Sequence, residues 1–191
     1  LSSIEEQGKL TGELKKQILA AETMVVVEDL YRPYRPKRRT RAMIAKEKGL
    51  EPLAVVITLQ KAEKPIEVYA EEYVNPEKEV KSVKEAIDGA KDIIAESVSD
   101  EADYRSWIRK ATIQHGKVIS QAKDEKAESV YEMYYDFEEP VTKLAGHRVL
   151  ALNRGEKEKF LTVKIEAPQD DILRYLEKKM IHSDNPHTTP I

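Results

Sequence analysis

The chain has 191 residues, of which 35% are charged and 6% are aromatic, and its formal net charge at pH 7 is −3. A net negative chain is not a polycation, so any affinity for nucleic acid must come from local patches. It has no cysteine, which excludes disulfides and thiolate chemistry, and no apolar run approaches the roughly 20 residues that span a bilayer. We therefore expect a soluble, cytoplasmic protein with no membrane partner.

The same composition favours a mainly α fold, because long charged side chains are good helix formers and aromatic residues and turn glycines are few. In chain order, helical spacing of apolar residues predicts short helices over 12–21, 24–30 and 42–48. Thr40 is placed to cap the third helix, and Gly49 to end it. We expect several short helices packed at steep angles, and not one long bundle.

The most distinctive stretch is Tyr31–Gly49, where eight basic residues face a single acid. Proline disfavours a helical conformation of the residue before it, so the two Tyr-Arg-Pro steps are predicted to be extended. Prolines hold the cations at low entropic cost and tyrosines flank them, which suits phosphate contact with stacking nearby. We call residues 31–48 the basic elbow. Its candidate nucleic-acid-binding residues are Tyr31, Arg32, Tyr34, Arg35, Lys37, Arg38, Arg39, Arg41 and Lys46.

A second interpretation of the basic elbow is structural. Basic runs are often solvated faces, and this one could balance acidic helices elsewhere in the chain. Tyr31 and Tyr34 could then be half-buried anchors whose hydroxyl groups stay in water. On residue chemistry alone, both interpretations stay open.

Beyond the basic elbow, Ser82 and Glu85 form a capping box ahead of a periodic apolar segment, which predicts a helix. Asp100 is expected to cap the next helix, in which Trp107 is a core anchor. The aromatic cluster Tyr131–Phe137 resumes helical spacing, but acidic neighbours would repel phosphates, so we assign it to the core.

One strand is predicted near 160–166, where apolar and polar residues alternate. It needs a partner, either 118–120 or a segment outside this chain, so the fold class is mainly α with at most one or two minor strands. We divide the chain into a helical subdomain at 1–74 that carries the basic elbow, a helical subdomain at 75–182 that carries the strand, and a loose tail at 183–191.

Motifs for catalysis or cofactor binding are not found. The histidines show no metal-ligand spacing, and the sequence has no phosphate loop, no GxGxxG and no nucleophile elbow. We expect no metal, no cofactor and no enzymatic activity. Arg148 and Arg154 are secondary candidates for nucleic-acid contact, and pairing with carboxylates or with a neighbouring domain is the competing interpretation.

Two stretches resemble the Tex family of bacterial transcription accessory proteins. The first, Glu28–Ala54, reads EDLYRPYRPKRRTRAMIAKEKGLEPLA, and the second, His147–Glu158, reads HRVLALNRGEKE. They lie far apart and occur in the family's order, so the resemblance covers most of the chain. Family members are much longer. A helical N-terminal region with a helix-turn-helix-like part precedes an RNase-H-like domain, helix-hairpin-helix elements and a C-terminal OB-fold RNA-binding domain.

None of those later domains is recognisable here, so the resemblance implies a fragment of the helical N-terminal region. It further implies a non-catalytic, nucleic-acid-associated module, whose partners are the RNA or DNA backbone without base specificity, the transcription machinery and other domains of the parent protein. In the competing hypothesis, the chain is a structural or protein-interaction scaffold, and domains outside it bind RNA.

Overall fold

The computed structural model describes all 191 residues, Leu1–Ile191. It is mainly helical, as predicted, and contains one small antiparallel sheet. Its elements in chain order are α1 Ser2–Glu6, α2 Gly12–Ala20, α3 Met24–Tyr31, α4 Arg41–Glu47, α5 Glu51–Leu59, α6 Ile66–Glu71, α7 Val83–Asp100, α8 Ala102–His115, β1 Lys117–Ala122, β2 Asp136–Pro140, α9 Gly146–Lys157, β3 Leu161–Glu166 and α10 Gln169–Met180. No helix is both long enough and apolar enough to cross a membrane.

The chain forms two compact units, Leu1–Ser106 together with Leu176–Ile191, and Trp107–Tyr175. These units divide the chain differently from the predicted subdomains. The predicted boundary after residue 74 lies inside the first unit, because α7 supplies buried residues to the same core as α4, α5 and α6. Sequence patterns locate each helix but do not say which helices share a core.

Side-chain caps begin several helices of the first unit. Thr11, Thr23, Thr40 and Ser82 each accept a hydrogen bond from the backbone N–H three residues ahead, at 3.1 to 3.4 Å. Each bond satisfies an amide that has no partner within the helix. At α7 the Glu85 carboxylate also accepts from the Lys81 N–H at 2.8 Å, which places the chain before the helix.

The core of the first unit lies where α4, α5 and α6 pack on α7. Leu50, Leu53 and Ile66 are fully buried there. Gly89 of α7 allows the closest approach, because a Cβ at this position would overlap the Leu50 side chain and lie 3.3 Å from the Ala45 Cβ. The short α4, which forms the C-terminal part of the basic elbow, is therefore held directly against α7.

Residues 183–191, predicted above to be a loose tail, pack onto the first unit. Asn185 Nδ2 donates to the Ala62 carbonyl at 3.0 Å, Thr188 is 5% exposed, and Ile191 packs against the core. Gln60 also holds this segment, because its Oε1 accepts from the His182 N–H at 2.8 Å. The sequence shows no apolar periodicity here because these contacts come from single residues in irregular backbone.

The second unit contains a three-stranded antiparallel sheet in the order β2-β1-β3. The predicted strand near 160–166 is confirmed as β3, and the suggested partner segment is part of β1, with Val118 opposite Ile165 and Ser120 opposite Val163. The expectation of at most one or two strands is wrong. The third strand, β2, lies in an acidic and aromatic segment whose apolar spacing resembles a helix, and only pairing with β1 shows it to be a strand.

Aromatic residues fill the core of the second unit, as predicted. Tyr131 and Tyr134 are each 5% exposed and pack with Leu152 of α9 and Leu161 of β3. Gly155 lies inside α9, where a Cβ would crowd the Leu161 side chain. Near the ends of this unit, the half-buried Trp107 ring stacks on the Tyr175 ring, with centroids 3.8 Å apart.

Candidate nucleic-acid interface

The basic elbow begins with a turn and then becomes extended. Arg32–Tyr34 forms a 3-10 turn that continues from α3, and Arg32 has helical φ and ψ of −51° and −42°. The prediction that both Tyr-Arg-Pro steps are extended is therefore wrong for the first step. Pro33 is tolerated because it lies in the first turn of the new helix, where no backbone N–H donor is needed. From Arg35, with ψ 131°, the chain is extended.

Both ends of the basic elbow are fixed. On the N-terminal side, Asp29 of α3 is 5% exposed and its Oδ1 accepts from Arg105 Nε at 2.7 Å. On the C-terminal side, Thr40 caps α4 as predicted, with Met43 N–H donating to its Oγ1 at 3.1 Å, and Gly49 follows with φ +83°. A positive φ favours glycine, which is why the chain can reverse there into α5.

The two tyrosines of the basic elbow contact α1 and the residue that follows it. Tyr31 is half-buried and its hydroxyl lies 3.0 Å from Ser3 Oγ, while the Tyr34 carbonyl accepts from Gln7 Nε2 at 2.9 Å. The Tyr31 contact is that of a half-buried anchor with a polar tip, whereas Tyr34 is held through its backbone. Stacking on a base stays a prediction for both residues.

Three carboxylates of α7 face the basic elbow. Asp92, Glu96 and Asp100 are spaced four residues apart, which places them on one side of the helix at intervals of about 6 Å. We call them the acidic row. Asp100, predicted to cap the following helix, is instead the last residue of α7, and its side chain points to the basic elbow.

Three cations of the basic elbow pair with the acidic row in reverse chain order. Arg32 Nε lies 3.0 Å from Asp100 Oδ1, and Lys37 contacts both Asp100 and, at 3.5 Å, Glu96. Arg41 Nη2 lies 3.3 Å from Asp92 Oδ1. In the sequence, this arrangement is signalled only by acidic residues at every fourth position of a predicted helix.

The remaining cations of the basic elbow fall into two groups. Arg39 pairs with Glu47 at 2.6 Å and Lys46 with Glu51 at 3.8 Å, and all four side chains are largely exposed. Arg35 and Arg38 are exposed and have no carboxylate partner. Exposed ion pairs contribute only about 0 to 1 kcal/mol, so an incoming phosphate could replace Glu47 beside Arg39 at little cost. Lys46 beside Glu51 is equally open to exchange, so the structure offers Arg35, Arg38, Arg39 and Lys46 to solvent. It holds Lys48 beside Glu79 and the other three cations against the acidic row.

A cavity of about 230 Å³ lies beside this surface, with Arg41 and Lys48 among its lining residues. Four acidic residues line it, and three of them already have a hydrogen-bond or ion-pair partner. Asp92 pairs with Arg41, Glu85 accepts from a backbone amide, and Glu79 lies 4.0 Å from Lys48. Asp88 is the remaining carboxylate, and a single carboxylate does not supply an acid and base pair. The expectation of a non-catalytic chain stays a prediction.

The secondary candidates Arg148 and Arg154 differ in their surroundings. Arg148 Nη1 lies 2.7 Å from Glu139 Oε1, and its guanidinium is 5.7 Å from the centre of the Phe137 ring. This side chain is therefore used within the second unit. Arg154 is exposed on α9 and has no ion-pair partner.

Tyr131 is a buried titratable residue whose pKa is shifted by its surroundings. Burial raises the pKa of its hydroxyl above the usual value, the neighbouring carboxylate of Glu158 raises it further, and the positive charge of Arg154 opposes both effects. The phenol is kept neutral because the charged form would lose water and face a carboxylate. It belongs to the aromatic core of the second unit.

Comparison with known proteins supplies a family. A family model described as the Tex central region matches residues 60–186, about two thirds of the chain. The basic elbow precedes the residues that this model matches. The alignments with individual relatives are longer and extend over the basic elbow, since they cover about nine tenths of this chain.

Three relatives show the range of similarity. Uncharacterized protein YdcI of Bacillus subtilis is 51% identical over 181 residues, which is 93% of this chain and 25% of that protein. Protein tex of Bordetella pertussis is 43% identical, over 89% of this chain and 22% of that protein. The human S1 RNA-binding domain-containing protein 1 is 29% identical, over 92% of this chain and 18% of that protein.

The chain thus spans about a quarter or less of the length of the curated relatives it matches. Identity of this level over nearly the whole chain agrees with the two sequence stretches that resemble Tex proteins. Together with the family model, it settles the assignment. The chain belongs to the Tex family.

Proposed function

We propose that this chain is a non-catalytic module of a Tex-type transcription accessory protein and that it contributes phosphate contacts through the basic elbow. The observation that carries the proposal is the exposure of Arg35 and Arg38 without carboxylate partners, on backbone that is fixed at both ends. Arg39 joins them, since its pair with Glu47 is exposed and weak. Guanidinium groups suit phosphate because they donate two parallel hydrogen bonds.

The names of two relatives support a role connected with transcription or nucleic acid, but not the specific phosphate contacts. One is named a transcriptional accessory protein, from Neisseria gonorrhoeae, and the human relative is named for an S1 RNA-binding domain. Contact through charge alone would carry no base preference and would not by itself distinguish RNA from DNA. We therefore propose non-specific backbone binding in the cytoplasm, alongside the transcription machinery and the other domains of the parent protein.

For the helix-turn-helix-like part, α4 and α5 are the pair we propose. They are joined by the three residues Lys48–Leu50, and Gly49 makes the turn. The second helix, α5, has no basic or amide side chain, so it lacks the Arg, Lys, Asn and Gln groups that make bidentate contacts with G and A. We infer that this pair supports contact between the basic elbow and the nucleic-acid backbone and does not place a recognition helix in a groove.

The test compares two double variants of the whole chain with wild type in fluorescence anisotropy with a labelled single-stranded RNA. Arg35→Ala with Arg38→Ala should weaken binding by roughly tenfold, because two phosphate contacts are lost. Lys15→Ala with Lys16→Ala removes the same charge from exposed α2 positions that have no ion-pair partner, and should leave the affinity nearly unchanged. Equal affinities for the two variants would reject the proposed contact.

A second candidate function is a structural or protein-interaction scaffold. The pairing of Arg32, Lys37 and Arg41 with α7 favours it, because these cations are used inside the fold. Under this hypothesis the Arg35 and Arg38 variant would bind nucleic acid as wild type does, in the fragment and in a full-length Tex protein alike. Loss of binding in the fragment would instead favour the nucleic-acid module.

A further inference from the structure

The carboxylates of α7 bind cations of the basic elbow that a nucleic-acid phosphate could also bind. A carboxylate and a phosphate oxygen are both anionic acceptors for Arg and Lys, and the acidic row presents three such groups at regular intervals. From the ion pairs described above, we propose that the acidic row is an autoinhibitory contact. It occupies Arg32, Lys37 and Arg41 and withholds them from nucleic acid. This inference rests on the proposed function, and it names how that surface is regulated.

The burial of the pairs indicates which of them is the strongest. The Asp100 side chain is 13% exposed and is shared by Arg32 and Lys37, whereas the Arg41 side chain is 85% exposed beside Asp92 at 27%. Ion pairs screened by less water are stronger, so the contact is firm at Asp100 and loose at Asp92. We infer a graded contact in which Arg41 is the first cation to become available and Lys37 the last.

Charge counting shows what the contact changes. With the acidic row intact, four cations of the basic elbow are offered to solvent: Arg35, Arg38, Arg39 and Lys46. If the acidic row is neutralised, Arg32, Lys37 and Arg41 become available as well, which raises the number from four to seven. Nucleic-acid affinity rises steeply with the number of phosphates that are neutralised, so three further contacts should be easy to detect.

The test neutralises the acidic row with Asp92→Asn, Glu96→Gln and Asp100→Asn, and measures RNA binding of the whole chain by anisotropy with a mixed-sequence RNA of about 16 nucleotides. The matched control is Glu63→Gln, Glu67→Gln and Glu71→Gln, an exposed set at the same four-residue spacing in the same unit with no ion-pair partner. Both variants change the net charge by +3, so a general charge effect is common to the two. The acidic-row variant should bind about tenfold more tightly than the control.

A milder variant guards against loss of folding. Asp92→Asn releases only Arg41, whose side chain is 85% exposed, so the fold should be unaffected. It should bind about two- to threefold more tightly than Glu67→Gln. Circular dichroism on each protein confirms that helix content is retained before the affinities are compared.

The outcomes separate this inference from the proposed function. If the acidic-row variant gains no more affinity than its control, the autoinhibitory contact is overturned, while a loss of binding on Arg35→Ala with Arg38→Ala would still support the proposed function. If the acidic-row variant gains affinity but the Arg35 and Arg38 variant binds as wild type, the autoinhibitory contact stands. The proposed contacts of Arg35 and Arg38 then fail. If no protein in the set binds RNA, both proposals are rejected.

Discussion

At the residue scale, Asp100 is the side chain on which the position of the basic elbow most depends. It is the shared partner of Arg32 and Lys37 and is mostly shielded from water. We expect Asp100→Asn to lower the free energy of unfolding by about 1 to 2 kcal/mol, because two cations lose their main acceptor in a partly buried place. Urea denaturation followed by circular dichroism measures the change.

The matched control at this scale is Asp171→Asn. Asp171 also pairs with an arginine, Arg174, at 3.0 Å, but both side chains are largely exposed and lie on one helix. The loss there should be within about 0.5 kcal/mol. Similar losses for the two substitutions would contradict a special role for Asp100.

A pH dependence follows from Tyr131. Its pKa is raised in the folded protein, so near and above the unfolded value of about 10 the folded state binds the proton more tightly than the unfolded state. The contribution of Tyr131 to stability is therefore fully present below about pH 10 and is lost as the pH rises through the folded value. We expect Tyr131→Phe to reduce the fall in the urea denaturation midpoint between about pH 9 and pH 11, and an unchanged fall would contradict the raised pKa.

At the element scale, the closeness of α4 and α7 sets where the basic elbow lies. We expect Gly89→Ala to destabilise the protein by about 1 to 3 kcal/mol, since the new methyl group would overlap Leu50 and force the helices apart. The gain in helix propensity, about 1 kcal/mol, offsets part of this loss. The net destabilisation should appear in urea denaturation as a lower midpoint for Gly89→Ala than for the wild type.

Gly12→Ala provides the comparison for that element. Gly12 begins α2, and a Cβ there would meet no atom within 4 Å. It should leave stability unchanged or raise it by up to about 1 kcal/mol. If both glycine substitutions were neutral, the packing of α4 on α7 would be looser than described.

At the scale of the whole molecule, features that depend on neighbouring residues were predictable from the sequence. Features that depend on contacts between distant residues were not. The caps at Thr40 and Ser82 and the strand near 160–166 depend on neighbouring residues, and the structure confirms them. Asp100 has a role set by cations more than 60 residues away along the chain, so local rules assigned it the wrong one. The same reason explains the third strand and the packed C-terminal segment.

The candidate site shows the same division. The cations of the basic elbow were identifiable as a charge cluster, and their rigid backbone followed from Pro36 and the Thr40 cap. Which of them reach solvent was not predictable, because it depends on carboxylates more than 50 residues away on α7. Charge alone therefore found the surface but overestimated the number of cations it offers.

The most direct test of the account is the salt dependence of single-stranded RNA binding by the whole chain. Each phosphate contact contributes about 0.7 to the magnitude of the slope of log K against log salt concentration, so four available cations predict a slope of about −3. A slope near zero would contradict contact through the basic elbow. A slope of about −5 or steeper would mean that all its cations meet phosphate and that α7 does not hold any of them.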